Sequence, residues 1–175
     1  IWAIGMDENM KFELLGYVVA NTESKEAVRS LLIDLQKRGL ERPQLFVSDE
    51  SKGIESAISL EYPHVKHQIC AFHKMKNIQH YLEDYKNRAE ILKDAADIYK
   101  TAWSKRSAME KLKIFRKKWI KIEKESTKHF CARFEKTLRY FDFPKIHWKS
   151  IYTNNPMESF NSQMRTWTSK FKYFE

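Results

Sequence analysis

The nine residues LFVSDESKG, at positions 45–53, decide the fold class. The first three are apolar and predict a short buried strand that stops at Asp49. Apolar residues then recur at helical spacing, from Ile54 to Ile58, and predict a helix directly afterwards. A strand that leads straight into a helix is typical of α/β proteins.

Asp49 ends this predicted strand, and two roles are open to it. Ligands of open α/β sheets bind outside the carboxyl ends of the strands, so an acid here is a candidate for binding chemistry. Alternatively, Asp49 caps the following helix by accepting a hydrogen bond from one of its first N–H groups. Taken alone, the stretch favours the cap.

The sequence before this stretch predicts a hairpin and one helix. Residues 1–6 and 12–20 are rich in Ile, Leu, Val and Tyr and predict two strands with a turn between them. From Val28, apolar residues recur at i, i+3, i+4 and i+7, and Gly39 ends this helix. The order strand, strand, helix, strand, helix predicts a mixed sheet with helices packed on it.

The sequence after residue 63 predicts helix almost continuously as far as Tyr140. Four segments carry the pattern, at 73–82, 87–103, 104–124 and 127–140. Ser104 and either Ser126 or Thr127 are the predicted caps. A last helix is predicted from Asn155-Pro156, with apolar residues at helical spacing as far as Phe171.

Positive charge is concentrated in one part of the chain. The 175 residues carry 32 Lys and Arg against 23 Asp and Glu, a net charge of +9. Residues 104–150 alone hold 15 Lys and Arg against 5 Asp and Glu, an excess of +10. Aromatic residues are interleaved with these cations, which suits a nucleic acid with stackable bases. A solvated helix face over an ordinary aromatic core is the alternative.

Composition excludes several classes of protein. No apolar run approaches the roughly 20 residues that cross a bilayer, so no membrane role is expected. Two cysteines are too few for a secreted disulfide framework. We therefore expect a cytoplasmic or nucleoid-associated protein. The chain begins without Met, which points to a fragment.

Cys70 and His73 lie three residues apart in the segment QICAFH, positions 68–73. This spacing places both on one helical face, where they could share a metal ion. Structural zinc usually has four ligands, however, and no second Cys pair exists in the sequence. A buried Cys beside a hydrogen-bonded His is the favoured alternative.

Glu158 lies in the first turn of the last predicted helix, in the segment YTNNPMESFN at 152–161. Asn161, Ser162 and Arg165 follow it at helical spacing and form one polar face with it. Taken alone, Glu158 needs no role beyond complementing the helix dipole.

Taken together, these segments resemble the Mutator-type DDE transposases. The hallmark of that family is Asp, three residues, Gly and an aliphatic residue, then a Pro-containing turn, then Gln-x-Cys-x-x-His. The matching residues are Asp49, Gly53, Ile54, Tyr62-Pro63, Gln68, Cys70, His73 and, as an extension, Asn77. Segments 141–144 and 151–161 resemble the stretch that carries the family's catalytic Glu. Two positions depart from the pattern, since Glu50 and Glu61 stand where many members have Gly and a small residue.

The resemblance implies an α/β fold with an RNase H-like core, interrupted by an all-helical insertion. It divides the chain into the first part of the core at 1–70, a helical insertion at 71–140 that is basic from 104, and the last part of the core at 141–175. Asp49 matches the second catalytic acid of the family and Glu158 matches the third. The first acid and its strand would precede Ile1, because Asp7 falls in the predicted turn of the hairpin.

The resemblance also implies a reaction, a cofactor and partners. Asp49 and Glu158 would hold two Mg²⁺ or Mn²⁺ ions for DNA strand cleavage and for transfer of the freed 3′-hydroxyl to target DNA. The partners implied are terminal-repeat and target DNA and further copies of the chain, without a small-molecule substrate. The location would be cytoplasm or nucleoid, or the nucleus in a eukaryote. The alternatives are an inactive or domesticated DNA-binding derivative, another RNase H-like nuclease, and a zinc-binding interaction module.

Further DNA contacts are expected from the insertion. Trp119, in the sequence Arg116-Lys117-Lys118-Trp119, resembles a basic-Trp element of related transposases in which Trp stacks on an extruded base. Trp103 is a competitor for that role, and packing of Trp119 between helices is the alternative. Cys70 and His73 are expected to have a structural or DNA-end-positioning role near Asp49, and Arg165 is a further DNA-binding candidate.

Overall fold

The computed structural model describes residues 1–22 and 24–152, together with residues 162 and 166. The strands are β1 (Trp2–Met6), β2 (Phe12–Tyr17), β3 (Leu45–Ser48) and β4 (Lys66–Ile69). The helices are α1 (Lys25–Lys37), α2 (Lys52–Glu61), α3 (Ala71–His80), α4 (Arg88–Thr101), α5 (Lys105–Trp119), α6 (Lys124–Cys131) and α7 (Lys145–Tyr152). Short 3₁₀ turns lie at Tyr85–Asn87, Phe134–Thr137 and Arg139–Asp142.

β1 and β2 form the predicted antiparallel hairpin, in a register that runs from Trp2 opposite Tyr17 to Met6 opposite Phe12. The Asp7 carboxylate accepts hydrogen bonds from the backbone N–H groups of Asn9 and Lys11, at 3.0 and 2.7 Å. Asp7 therefore organises the turn, as the sequence predicted.

β3 and β4 form a parallel pair, and α2 is the connection between them. The sequence predicted β3 but missed β4, because KHQI, residues 66–69, has a single strongly apolar residue. Pairing with β3 holds this segment extended, in a register from Leu45 opposite Lys66 to Ser48 opposite Ile69. Among the described residues the strands form two separate two-stranded sheets.

The helices agree closely with the predicted segments as far as α5, and beyond α5 they differ from the prediction. Ser24 and Ser104 accept hydrogen bonds from the N–H groups three residues on and cap α1 and α5, and the cap at Ser104 was predicted. The prediction of a cap at Ser126 or Thr127 is wrong, because both lie buried inside α6. The Ser126 hydroxyl instead donates to the carbonyl of Ile78 in α3, at 2.8 Å.

The chain leaves α6 earlier than predicted. Arg133 adopts a left-handed conformation with φ of 54°, and two 3₁₀ turns replace the helix that was predicted as far as Tyr140. The sequence also did not predict α7, which begins directly after Pro144. Pro is well placed there, since it has no N–H to leave unpaired at a helix start.

The chain forms two apolar cores, one from residues that precede Cys70 in the sequence and one from residues that follow it. One is formed by α1 and α2, with residues of β1, β3 and the segment before β4 packed against it. The other is formed by α3 to α6 and the 3₁₀ turns, with Trp148, Ile151 and Tyr152 of α7 packed against it. As far as the structure describes the chain, the fold is therefore mixed α/β and mostly helical, with two small sheets. No described helix has both the length and the apolar character that a bilayer crossing needs.

Candidate functional site

Asp49 lies at the carboxyl end of β3, and its side chain is 51% exposed. Ser51 rather than Asp49 caps α2, because the Ser51 hydroxyl accepts a hydrogen bond from the N–H of Ile54 at 3.4 Å. The alternative that Asp49 is a helix cap is therefore wrong. Its carboxylate remains accessible at the edge where α/β sheets bind ligands.

His73 faces Asp49 from the first turn of α3. Its Nδ1 lies 2.8 Å from Oδ1 of Asp49. The Asp49 carboxylate and, after it, the Cys70 side chain raise the pKa of His73 to about 10, against the opposing effect of burial. The Asp49 carboxylate beside it therefore favours the protonated form of His73, whose charge attracts that carboxylate.

Cys70 joins β4 to α3. It is buried, and its N–H donates to the carbonyl of Ser48 at 2.7 Å, which extends the ladder between β3 and β4 by one bond. Cys70 thereby fixes the start of α3, so that His73 reaches Asp49. Among residues 1–22 and 24–152, no three His, Cys, Asp or Glu side chains are grouped as a metal site, so the zinc alternative gains no support.

Gln68 connects β4 to the last 3₁₀ turn and to α7. Its side chain is fully buried, its Oε1 accepts a hydrogen bond from the N–H of Tyr140 at 2.8 Å, and its Nε2 donates to the carbonyl of Ile151 at 3.3 Å. One side chain thus positions both the 3₁₀ turn that contains Tyr140 and the end of α7. The sequence included Gln68 in the motif but assigned it no role.

A buried lysine of α3 forms an ion pair with the residue after Asp49, and the sequence analysis did not predict this contact. Lys74 is 1% exposed, and its Nζ lies 2.6 Å from Oε2 of Glu50. Arg133, at the exit of α6, and Lys136 both pair with Glu55 of α2. The sequence signal for Lys74 was its position on the buried face of α3, three residues after Ala71 and four before Ile78.

Trp119 is a packing residue, which corrects the prediction that it stacks on an extruded base. Its side chain is 1% exposed, and its Nε1 donates to Oδ2 of Asp94 at 2.9 Å. A sequence signal existed, since Trp119 continues the apolar stripe of α5 through Ala108, Leu112 and Phe115. Trp103, between α4 and α5, is 75% exposed and remains a candidate for base stacking.

The cations around Trp119 differ in their surroundings. The Nζ of Lys118 lies 2.7 Å from Glu90 and 2.6 Å from Asp94 on α4, and both carboxylates raise its pKa. Arg116 and Lys117 are exposed, and neither forms an ion pair within 1–22 and 24–152. Lys118 is therefore neutralised within the protein, which argues against its predicted role in DNA binding.

Glu158 and Arg165 lie outside the described residues. The expected convergence of Asp49 and Glu158 on shared metal ions therefore stays a prediction. Asp49 itself suits a hard divalent cation, because its carboxylate is exposed and Mg²⁺ and Mn²⁺ prefer oxygen ligands.

Comparison with known proteins gives a consistent result over the whole chain. The model of a family described as "Transposase, Mutator family" matches residues 1–175. The chain is 31% identical over 163 residues to the transposase for insertion sequence element IS1201 of Lactobacillus helveticus, covering 93% of this chain and 44% of that protein. It is 31% identical over 168 residues to the transposase for insertion sequence element IS905 of Lactococcus lactis, and the match covers 96% of this chain and 42% of that protein. It is 33% identical over 171 residues to the transposase for IST2 of Acidithiobacillus ferrooxidans, covering 97% and 57%. The chain spans less than half the length of the first two of these relatives.

Proposed function

This chain belongs to the Mutator family of transposases, and from that premise we propose that it forms part of an enzyme that cuts and rejoins DNA. The observation that carries the proposal is Asp49, which is exposed at the carboxyl end of β3, caps no helix and is held by His73. The DNA partners are the ends of a mobile element and a target. Since two ends must be joined, we also propose an assembly of two or more copies. The relatives are bacterial, so the cytoplasm or nucleoid is the proposed location.

The reaction consists of two displacements at phosphorus. In the first, water attacks the phosphodiester, the bond to the 3′ oxygen breaks, and that oxygen takes a proton. In the second, the freed 3′-hydroxyl loses its proton, attacks a target phosphate and displaces the 3′ oxygen there. When bound, two Mg²⁺ or Mn²⁺ ions would lower the pKa of the attacking group and neutralise charge on the phosphate.

The residues of this chain would supply ligands and positions. Asp49 and Glu158 are the proposed ligands, because carboxylate oxygens are preferred by hard divalent cations. His73 orients the Asp49 carboxylate through its charge. Gln68 fixes the end of α7, from which the chain runs on to Glu158.

We propose further that the two small sheets belong to one RNase H-like sheet. In the described residues β1 pairs only with β2, and β3 pairs only with β4. Residues of β1 and β3, Ala3 and Phe46, nevertheless pack on the same core of α1 and α2. A strand that pairs with both β1 and β3 would complete a five-stranded mixed sheet, and it would carry the first catalytic Asp beside Asp49.

A nicking assay with the full-length protein tests this function. With Mg²⁺ or Mn²⁺ and DNA that carries the ends of the element, the wild-type protein should nick one strand at each end. Substituting a partner of a metal ligand typically costs about 10- to 100-fold, so removing a ligand should cost more. Asp49→Asn and Glu158→Gln should therefore each lower the nicking rate at least 100-fold.

The matched control is Asp7→Asn, because Asp7 lies in the hairpin turn and Asn suits the same turn. This variant should nick at the wild-type rate. If Asp49→Asn and Glu158→Gln also nick at that rate, the two residues are not the metal ligands. A wild-type protein that binds DNA but never nicks it would identify an inactive DNA-binding derivative instead.

A further inference from the structure

The outward face of α5 carries cations that no acid within residues 1–22 and 24–152 neutralises. They are Lys113, Arg116 and Lys117, which we call the basic face, and all three are exposed. Three other cations of α5 are paired: Lys105 with Asp142, Arg106 with Glu110 at 3.1 Å, and Lys118 with Glu90 and Asp94. The seventh cation of α5, Lys111, is only partly exposed.

Helix geometry brings the three charges of the basic face together. Arg116 and Lys117 lie three and four residues after Lys113, where Cβ atoms are about 5–6 Å apart. Like charges at this spacing destabilise a helix by a few tenths of a kcal/mol. Arg116 and Lys117 gain from the dipole of the last turn, but Lys113 lies one turn earlier and gains much less. The repulsion is relieved if an anion with closely repeated charges lies along this face.

The backbone of duplex DNA fits these requirements, because each strand carries one phosphate charge per 3.4 Å of helix axis. We infer that the basic face of α5 binds the phosphate backbone of duplex DNA; this partner rests on the proposed function. The contacts are to phosphate and are therefore independent of base sequence. Lys118 makes none of them, although it is adjacent to Lys117 in sequence, because its charge is directed towards α4.

Salt dependence of binding by the full-length protein tests this inference. The probe is a fluorescein-labelled 30-base-pair duplex of random sequence. Its fluorescence anisotropy measures the binding constant in the presence of EDTA at a series of KCl concentrations. Each phosphate contact contributes about 0.9 to the slope of log K against log salt concentration. The variant K113Q/R116Q/K117Q should therefore lower the slope by about 2.7 and weaken binding at least tenfold at about 0.1 M salt.

The matched control is K105Q/K118Q/K128Q, which removes the same formal charge from three cations that are paired with Asp142, with Glu90 and Asp94, and with Glu125. Its slope should stay close to that of the wild-type protein. All six side chains are at the surface, so thermal unfolding should show that both variants remain folded.

Two outcomes would overturn the inference. If both triple variants lower the slope equally, binding responds to net charge and not to the basic face. If the wild-type protein does not bind the duplex at all, the basic face has no such partner. Failure of the proposed function is seen separately in the nicking assay, since a protein that binds the duplex through the basic face but nicks nothing leaves the inference intact.

Discussion

The α/β region, residues 1–69, and the helical region, residues 71–152, differ in where they place their polar side chains. The first places them at a strand pair, and the second mainly at its surface. The α/β region has the smaller apolar core, and its strands β3 and β4 position Asp49, directly after β3, and Gln68, within β4. The helical region buries a larger core, rich in aromatic residues, and keeps most of its cations at the surface. The comparison indicates that the first region holds the proposed metal ligand Asp49, whereas the second holds the larger part of the buried apolar core.

The largest expected effect concerns the core of the helical region. Trp119→Ala removes a large, fully buried side chain, and such substitutions cost about 3–5 kcal/mol of unfolding free energy. Trp103→Ala removes an equal side chain from the surface and should change that free energy by less than about 0.5 kcal/mol. Urea denaturation of both variants measures the difference. Equal losses would mean that the two tryptophans do not differ in burial as described.

These two tryptophans also show what the sequence could predict. The apolar stripe of α5 contains Trp119, so its burial could have been read from periodicity. The pairing of Lys118 with Glu90 and Asp94 could not, because it depends on how α4 packs against α5. Local pattern identifies the buried face of a helix, but it does not identify the neighbour that a surface charge will meet.

In the α/β region, too, some features could be predicted from the local sequence, whereas others depend on the fold. The hairpin, α1, β3 and α2 follow from apolar spacing and turn residues, and the structure confirms them. β4 could not be predicted from its own residues, because pairing with β3 and burial of Gln68 make it a strand. At the site, the family motif predicted that Cys70 and His73 lie near Asp49. The bonds of Gln68 to Tyr140 and Ile151 span more than 70 residues and needed the fold.

A substitution of intermediate effect tests the connection between the two regions. Gln68→Leu keeps a similar volume but leaves the buried N–H of Tyr140 without its acceptor. An unpaired buried group costs about 1–3 kcal/mol, and the longer bond to Ile151 should add little. Urea denaturation should show this loss, and the full-length variant should also nick DNA more slowly, because α7 loses its hydrogen bond to β4.

Gln44→Leu is the matched control for that measurement. Gln44 is exposed directly before β3, so its substitution should change unfolding free energy by less than about 0.5 kcal/mol. If Gln68→Leu were as stable and as active as this control, the two regions would be held together by other contacts, and the positioning role of Gln68 would be wrong.

The smallest expected effect concerns an ion-pair cluster between the two regions. Glu55 of α2 pairs with Lys136 and Arg133, which lie after α6. Lys136, together with Arg133, lowers the pKa of Glu55 from its ordinary value of 4.5, against the opposing effect of burial. A carboxyl group whose pKa is lower in the folded protein stabilises it above the unfolded pKa, and this contribution is lost as the pH falls through the folded pKa. Glu55→Gln should therefore cost about 1 kcal/mol near neutral pH, and the difference from wild type should shrink steadily below about pH 4.5.

Urea denaturation between pH 3 and pH 7 measures this dependence, with Glu41→Gln as the control. Glu41 is exposed and has no ion pair within 1–22 and 24–152, so its variant should show no comparable change with pH. A Glu55→Gln variant whose deficit stayed constant down to pH 3 would show that the loss comes from packing rather than from charge. In that case the hydrogen bonds of Gln68, rather than the ion pairs of Glu55, would hold the helical region against the α/β region.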